Sequence, residues 1–263
     1  MLLILLILSP YLTRGHVILS KSWIYRGNHI GYEEARKVQS PNKITTIGEN
    51  HDHLKLNEAD YSQKPVLLLN GFGVGSFHQH RLMPYLLKAG DDSDTIPHRV
   101  VYGVDYLGQG KSWPINCQDG NSENEKNLIY SVDTWTEQII HFIEEIIIPN
   151  YCAAVESKPQ KEGDCKIHLV GNSVGGLIAV LVALKRPELI DSICLLNATP
   201  VWGLNLPGWS GHLPPPPIPR WIGRYLFDII RDRGTIHKYL IAAYANADAF
   251  GDDLVRMNAS IEL

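Results

Sequence analysis

Positive charge is in short supply in this sequence: 24 Lys and Arg stand against 28 Asp and Glu, for a formal net charge of -4. No cluster of basic residues stands out either, so nothing would draw in a phosphate backbone, and nucleic acid is excluded as an expected partner. Cysteine is scarce as well. The four, Cys117, Cys152, Cys165 and Cys194, show no C-x-x-C spacing and no histidine at ligand distance. A zinc site and a redox pair are therefore not expected, and neither metal nor cofactor is called for. The thiols are expected unpaired and buried, with a Cys152–Cys165 bridge as the alternative in an oxidising compartment. Also missing is an apolar run long enough to span a bilayer.

The nearest thing to such a run is Leu2 to Leu8 at the N-terminus, which has the size of a signal-peptide core. No Lys or Arg precedes it, and Thr13-Arg14-Gly15 makes a poor cleavage site. Residues 1–20 are expected to be a targeting or signal segment, with a mis-chosen start as the alternative. The sequons at Asn197 and Asn258 read as chance, because Asn197 closes what looks like a buried strand.

What is present organises itself by pattern. Trp23 and Tyr25, then Gly27-Asn28, then Ile30 and Tyr32 predict a short β-hairpin turning at the Gly-Asn pair. Residues 35 to 63 are polar and aperiodic, a surface loop. From Pro65, short apolar runs at 66–69, 100–104, 167–170 and 193–196 alternate with helical stretches at 76–88, 131–148 and 174–186. Unbroken apolar runs suit strands buried on both faces, and strict alternation with helices predicts a mostly parallel, doubly wound α/β sheet over residues 21–200. Residues 115–127 read as a solvated insertion. Beyond residue 200 the texture changes to Gly- and Pro-rich, then helical near 219–232, 235–246 and 252–262. Residues 201–263 are expected to be a separate helical cap.

The chemistry gathers at Gly171-Asn172-Ser173-Val174-Gly175. It follows the run Ile167 to Val170 directly and opens the apolar helix from Gly176 to Leu184, the strand–turn–helix context that a nucleophile elbow requires. A serine there is held in a tight turn with its hydroxyl at the C-terminal edge of the sheet, and the flanking glycines leave room for it. Attack on an ester carbonyl develops an oxyanion, which needs backbone amides. One is assigned to Val174, the residue after the nucleophile. The other is assigned to Phe72, in the glycine-rich turn Asn70-Gly71-Phe72-Gly73-Val74-Gly75. Asp105, closing another strand in Asp105-Tyr-Leu-Gly-Gln-Gly110, is read as structural, since the acid of such a site follows the serine in the chain.

Taken together, the sequence resembles the α/β-hydrolase superfamily and, within it, the pheophytinase group of chlorophyll-ester hydrolases. The likeness rests on Asn-Gly-Phe-Gly-Val-Gly-Ser-Phe-His at 70–78, Asp-Tyr-Leu-Gly-Gln-Gly at 105–110, the helix at Trp135, Gly-Asn-Ser-Val-Gly-Gly at 171–176, and Leu-Leu-Asn-Ala-Thr-Pro-Val-Trp-Gly at 195–203. It departs at Asn70, where many hydrolases carry histidine, and at polar insertions near 40–60, 115–127 and 155–164. The resemblance implies an α/β-hydrolase core at 21–200 and a serine carboxylic-ester hydrolase that removes a phytyl-like chain from a chlorophyll derivative through an acyl-enzyme. It also implies a plastid, whereas the apolar N-terminus points to the secretory pathway or to the first part of a two-step plastid signal. Trp202 and Trp209 in the cap suit an apolar ester substrate, although such aromatics more often simply pack.

The family's acid and histidine lie downstream of the cap, and nothing before Leu263 has their strand–loop context. His212 sits in a Pro/Gly-rich loop and His237 on a cap helix, so no acid and no base are assigned. The reading expects a sheet incomplete at its C-terminal side, from a fragment, a splice form or an incomplete gene model. Two alternatives follow: a general lipase, esterase or acyltransferase of the same fold, and a catalytically dead product without the triad acid and histidine.

Overall fold

The computed structural model describes residues 16–37, 63–88, 99–113, 131–155 and 165–199, together with positions 222, 225, 229, 232, 234, 235, 237 and 238. The chain divides into two compact units, Met1–Val201 and Trp202–Leu263.

The first unit is built on a six-stranded sheet of order β1-β2-β4-β3-β5-β6. Strands β1 (His16–Tyr25) and β2 (Asn28–Lys37) form an antiparallel hairpin, and β2 pairs antiparallel with β4 (Val101–Val104). The remaining pairs, β4 with β3 (Val66–Leu69), β3 with β5 (Ile167–Asn172) and β5 with β6 (Ile190–Leu196), are parallel. This is the mostly parallel, doubly wound arrangement that the alternating pattern implies.

The hairpin is longer than expected and turns one residue earlier. Arg26 and Gly27, both at positive φ (48° and 78°), occupy the turn, and Asn28 already belongs to β2, its side-chain amide donating to the Arg26 carbonyl at 3.1 Å. Two consecutive left-handed residues match the twist of a two-residue hairpin, and glycine carries the second without strain. Residues 16–20, expected in the leader, pair within β1, and 35–37, expected in a loop, pair within β2.

Helices lie on both faces. In β3, Leu67 and Leu69 enter one apolar cluster while Val66 and Leu68 enter the other, because successive side chains of a strand point to opposite faces. Against the second face packs α1 (Met83–Lys88) through Met83 and Leu87. Against the first pack α2 (Val132–Phe142) through Trp135, Ile139 and Phe142, and α4 (Val174–Lys185) through Ile178, Ala179 and Val182. A single helix over 76–88 is not formed: a 3-10 turn at Ser76–Gln79 precedes α1, since Pro84 would clash with the His80 carbonyl of any helix running through. The helical segment that α2 opens in turn outruns its expected end at 148. It passes through a π turn at Ile143–Ile147 into α3 (Ile148–Val155), and the wider turn accommodates Pro149, which can donate no bond.

Two expectations about burial are corrected. Cys152, on α3, is joined to Cys165, just before β5, with Cα atoms 5.9 Å apart, so these two thiols are paired. Cys194 is free but exposed. Strand β6, expected to be buried on both faces, forms the edge of the described sheet and leaves Leu195 and Leu196 exposed, and Asn197 beyond it is exposed too. Burial therefore gives no ground for reading the Asn197 sequon as chance.

In the second unit, positions 222, 225, 229, 234, 235, 237 and 238 are helical, and the Asp232 carboxylate accepts from the Gly234 and Thr235 amides. The expected insertions at 40–60 and 115–127, and most of that at 155–164, lie outside the described residues, as do Cys117, Trp202, Trp209, His212 and Asn258.

Candidate active site

Strands β3 and β5 are neighbours, yet β3 leads to α1 on one face and β5 to α4 on the other. Where adjacent parallel strands send the chain to opposite faces, their carboxyl ends part and leave a crevice, the place where open α/β sheets bind ligands. The turn after β3 and the turn after β5 meet there.

The turn after β5 holds Ser173 at φ 53° and ψ -121°, a backbone conformation that L residues rarely adopt. It is enforced from both sides. A Cβ on Gly171 would stand 2.4 Å from the Gly175 carbonyl oxygen, and one on Gly175 would stand 2.4 Å from the Leu69 carbonyl oxygen. Only glycine fits at either place. Two backbone bonds then fasten the turn to the segment leaving β6: the Ser173 amide donates to the Leu196 carbonyl at 3.2 Å, and the Thr199 amide donates to the Ser173 carbonyl at 2.9 Å. Ser173 itself is partly exposed, so its hydroxyl is reachable. Val174 begins α4, and the first amides of a helix have no acceptor within it, leaving them to face the crevice end of the sheet.

The turn after β3 comes up against the serine. A Cβ on Gly71 would lie 3.5 Å from the Ser173 Cβ, while Phe72, next in the turn, leaves 72% of its surface exposed. The turn is held by side chains from elsewhere. Tyr106 donates its hydroxyl to the Asn70 carbonyl at 3.1 Å, the Asn70 side-chain amide donates to the Val104 carbonyl at 3.2 Å, and the Gly73 amide donates to Gln109 Oε1 at 2.8 Å. Full burial pushes the Tyr106 phenol well above its ordinary range, which keeps it a hydrogen-bond donor. Behind it Trp135 stacks on Tyr106 with ring centres 5.5 Å apart, and the Phe72 ring approaches Trp135 at 6.2 Å.

Asp105 is a clamp beneath this turn. Its carboxylate accepts from the Ser76 amide and, at 2.7 Å, from the Lys111 amide, and a Cβ on Gly110 would fall 2.4 Å from it. Burial raises its pKa above the carboxylate range, with the neighbouring Glu33 pushing the same way and the two amides opposing. Gln138, fully buried on α2, completes the clamp by accepting from the Leu107 amide at 2.8 Å and donating to the Asp105 carbonyl at 3.0 Å. Asp105 touches the base of the turn rather than Ser173, in keeping with a structural role.

Sequence reasoning missed Gln109, Gln138 and above all Thr199. The Thr199 hydroxyl lies 3.4 Å from Ser173 Oγ. Its motif, Asn-Ala-Thr-Pro, carries no signal in the sequence beyond the family resemblance. Among the described residues of this unit, no histidine ring stands within hydrogen-bond distance of Ser173 Oγ. A serine–histidine contact does occur at the other end of the strands, where His168 Nδ1 lies 2.7 Å from Ser192 Oγ and 3.5 Å from the Asp191 carboxylate. One ring nitrogen faces both partners, so the proton relay of a triad, which needs both nitrogens, is not formed there.

Comparison with known proteins follows the same lines. A profile of the alpha/beta hydrolase fold matches residues 64–229. The chain is 33% identical over 158 residues to the chloroplastic pheophytinase of Arabidopsis thaliana, covering 52% of this chain and 28% of that protein. It is 27% identical over 191 residues to the 1-acylglycerol-3-phosphate O-acyltransferase ABHD5 of Homo sapiens, covering 72% of this chain and 42% of that one. The chain thus spans less than half the length of these curated relatives. In fold it is similar to the crystal structure of Cfl2 from Burkholderia cenocepacia, with a TM-score of 0.56 at 19% identity, covering 96% of this chain and 67% of that one.

Proposed function

We propose that this chain, which belongs to the alpha/beta hydrolase fold family, uses Ser173 as the nucleophile of a carboxylic-ester hydrolase whose substrate carries a large apolar group, in the first instance the phytyl ester of a pheophytin-type pigment. The observation that carries the reading is the strained backbone at Ser173, φ 53°, locked between two glycines and facing Gly71 across the crevice. Such strain has no structural purpose in an ordinary strand–helix connection; it presents a side chain. Attack by Ser173 Oγ on the ester carbonyl forms the Oγ–C bond, the alcohol departs with a proton, and water then cleaves the acyl-enzyme. Backbone amides of Val174 and Phe72 are assigned to the oxyanion. Ser173 needs a base that the described residues of the first unit do not supply, and His212 and His237 are the histidines that follow Ser173 in the sequence.

The pigment ester is supported by the 33% identity to a pheophytinase and by the apolar, solvent-facing Phe72 beside the nucleophile. A second reading, acyl transfer to a lysophospholipid, is favoured by the longer match to acyltransferases, over 72% of the chain. As to compartment, the Cys152–Cys165 bond supports folding in an oxidising one, in line with a secretory N-terminus, whereas the resemblance supports a plastid.

The test is prolonged incubation of the purified chain with excess fluorophosphonate, followed by peptide mapping, beside assays on a pigment ester, short acyl esters and a lysophosphatidate with an acyl donor. Adduct at Ser173, absent from Ser173→Ala, with preference for the pigment ester is expected. Adduct elsewhere, or none, would remove the nucleophile assignment. Preference for the lysophosphatidate would replace the first reading by the second.

A further inference from the structure

We infer that Thr199 is a positioning residue for the nucleophile, its hydroxyl donating to Ser173 Oγ so that the serine's own proton is left to point at the base. The inference rests on Ser173 being the nucleophile.

Three independent features deliver this hydroxyl. At the end of β6, Asn197 takes a left-handed conformation, φ 45°, which turns the chain sharply. Ala198 then lies against the start of α4, where a Cβ on Gly176 would come within 2.4 Å of the Ala198 Cβ, so the approach depends on glycine at 176. Finally the Thr199 amide is bound to the Ser173 carbonyl at 2.9 Å, and the Ser173 amide to Leu196 at 3.2 Å. The segment 196–199 is thereby fastened to the nucleophile's own backbone. The Thr199 side chain is exposed, so these attachments do not serve to bury it. What they achieve is a hydroxyl 3.4 Å from Ser173 Oγ, the partner that this oxygen has among the described residues.

The chemical consequence follows from the geometry. A serine hydroxyl swings between staggered rotamers, and only one aims Oγ at a carbonyl held against Gly71. A hydrogen bond received from Thr199 selects one rotamer and also stabilises the negative charge that grows on Oγ as its proton leaves. Such contacts are often long in the unliganded state and shorten when the site is occupied. The role assigned to Thr199 is a bond to Oγ and not to the reacting carbonyl, so binding is not expected to depend on it.

The decisive measurement is the rate of fluorophosphonate labelling of Ser173 in the full chain as a function of probe concentration, which separates the probe's binding constant from the maximal rate. Thr199→Val and Thr199→Ala should lower the maximal rate on the order of ten-fold, the worth of one hydrogen bond, with the binding constant unchanged, while Thr199→Ser restores it. Two hydroxyl-free variants of an exposed residue guard against one that fails to fold, and thermal melts report on both. Unchanged labelling in Val and Ala would overturn the inference, as would a Ser variant as slow as Val, which would assign the effect to the methyl group. A wild-type chain that never labels at Ser173 would instead remove the nucleophile itself, and this inference with it.

Discussion

Gly71 and Ser173 face each other across the gap between β3 and β5 so closely that a methyl group on the glycine would touch the serine Cβ at 3.5 Å. That spacing is an ordinary van der Waals contact, so Gly71→Ala should fold and retain most labelling of Ser173. Gly71→Val adds branches that must displace the turn carrying the Phe72 amide. The loss should then fall on the rate rather than on binding, on the order of 100-fold, as for removal of an oxyanion donor. Gly73 differs: nothing lies within 4 Å of its Cβ position, but its φ of 77° makes a valine strained. A weaker affinity at unchanged rate for Gly71→Val would count against the Phe72 assignment.

Gly175 answers to the fold more than to the chemistry. Its missing Cβ would collide with the Leu69 and Asn70 carbonyl oxygens at 2.4 and 2.5 Å, both backbone atoms that cannot rotate away. Gly175→Ala should cost about 1 to 3 kcal/mol, as over-packing of a tight interior does. Urea unfolding read by circular dichroism checks it; an unchanged midpoint would mean that β3 and α4 can separate more easily than the contacts imply.

Asp105 supplies a pH dependence. Its folded pKa is raised, chiefly by burial, so between the ordinary carboxylate value of about 4 and the raised value the native state holds a proton that the unfolded chain has lost. Its contribution to stability is therefore fully present below the ordinary value and declines as pH rises through the raised one. In Asp105→Asn that decline should vanish, at a cost of about 1 to 3 kcal/mol that is largest at low pH and narrows as pH rises, because the amide accepts well from only one of the Ser76 and Lys111 amides. Parallel stability–pH curves for the two proteins would refute the assignment.

The bond between Cys152 and Cys165 closes a short segment, 13 residues in separation, between α3 and the strand that carries the nucleophile. Reduction, or Cys152→Ser with Cys165→Ser, should lower stability by about 3 kcal/mol on a chain-entropy account. Thiol titration of the denatured chain before and after reduction should differ by two. No difference would mean that the pair is open in solution.

The strands β3, β4 and β5 were legible because each is a run of apolar residues whose burial on both faces is written in consecutive positions. The elbow was legible for the same reason: Gly171, Ser173 and Gly175 satisfy a steric demand that spans five residues. Burial of β6 was misjudged because an apolar run states what a strand prefers to contact and not whether a neighbour is there; Leu195 and Leu196 read the same at an edge as at a centre.

The amino-acid sequence by itself determined the alternation of strand and helix, the strained turn and its serine, since these depend on backbone sterics and side-chain periodicity between near neighbours. Tertiary structure alone decided what surrounds that serine. The Thr199 hydroxyl lies 26 residues further along the chain, and the Gln109 oxygen that holds the Gly73 amide lies 36 residues from it. A hydrogen bond needs its partners aligned and within roughly 3.5 Å. No spacing in the chain encodes that alignment; it arises only when β3, β4, β5 and β6 are laid in register and their carboxyl ends are brought to one edge of the sheet.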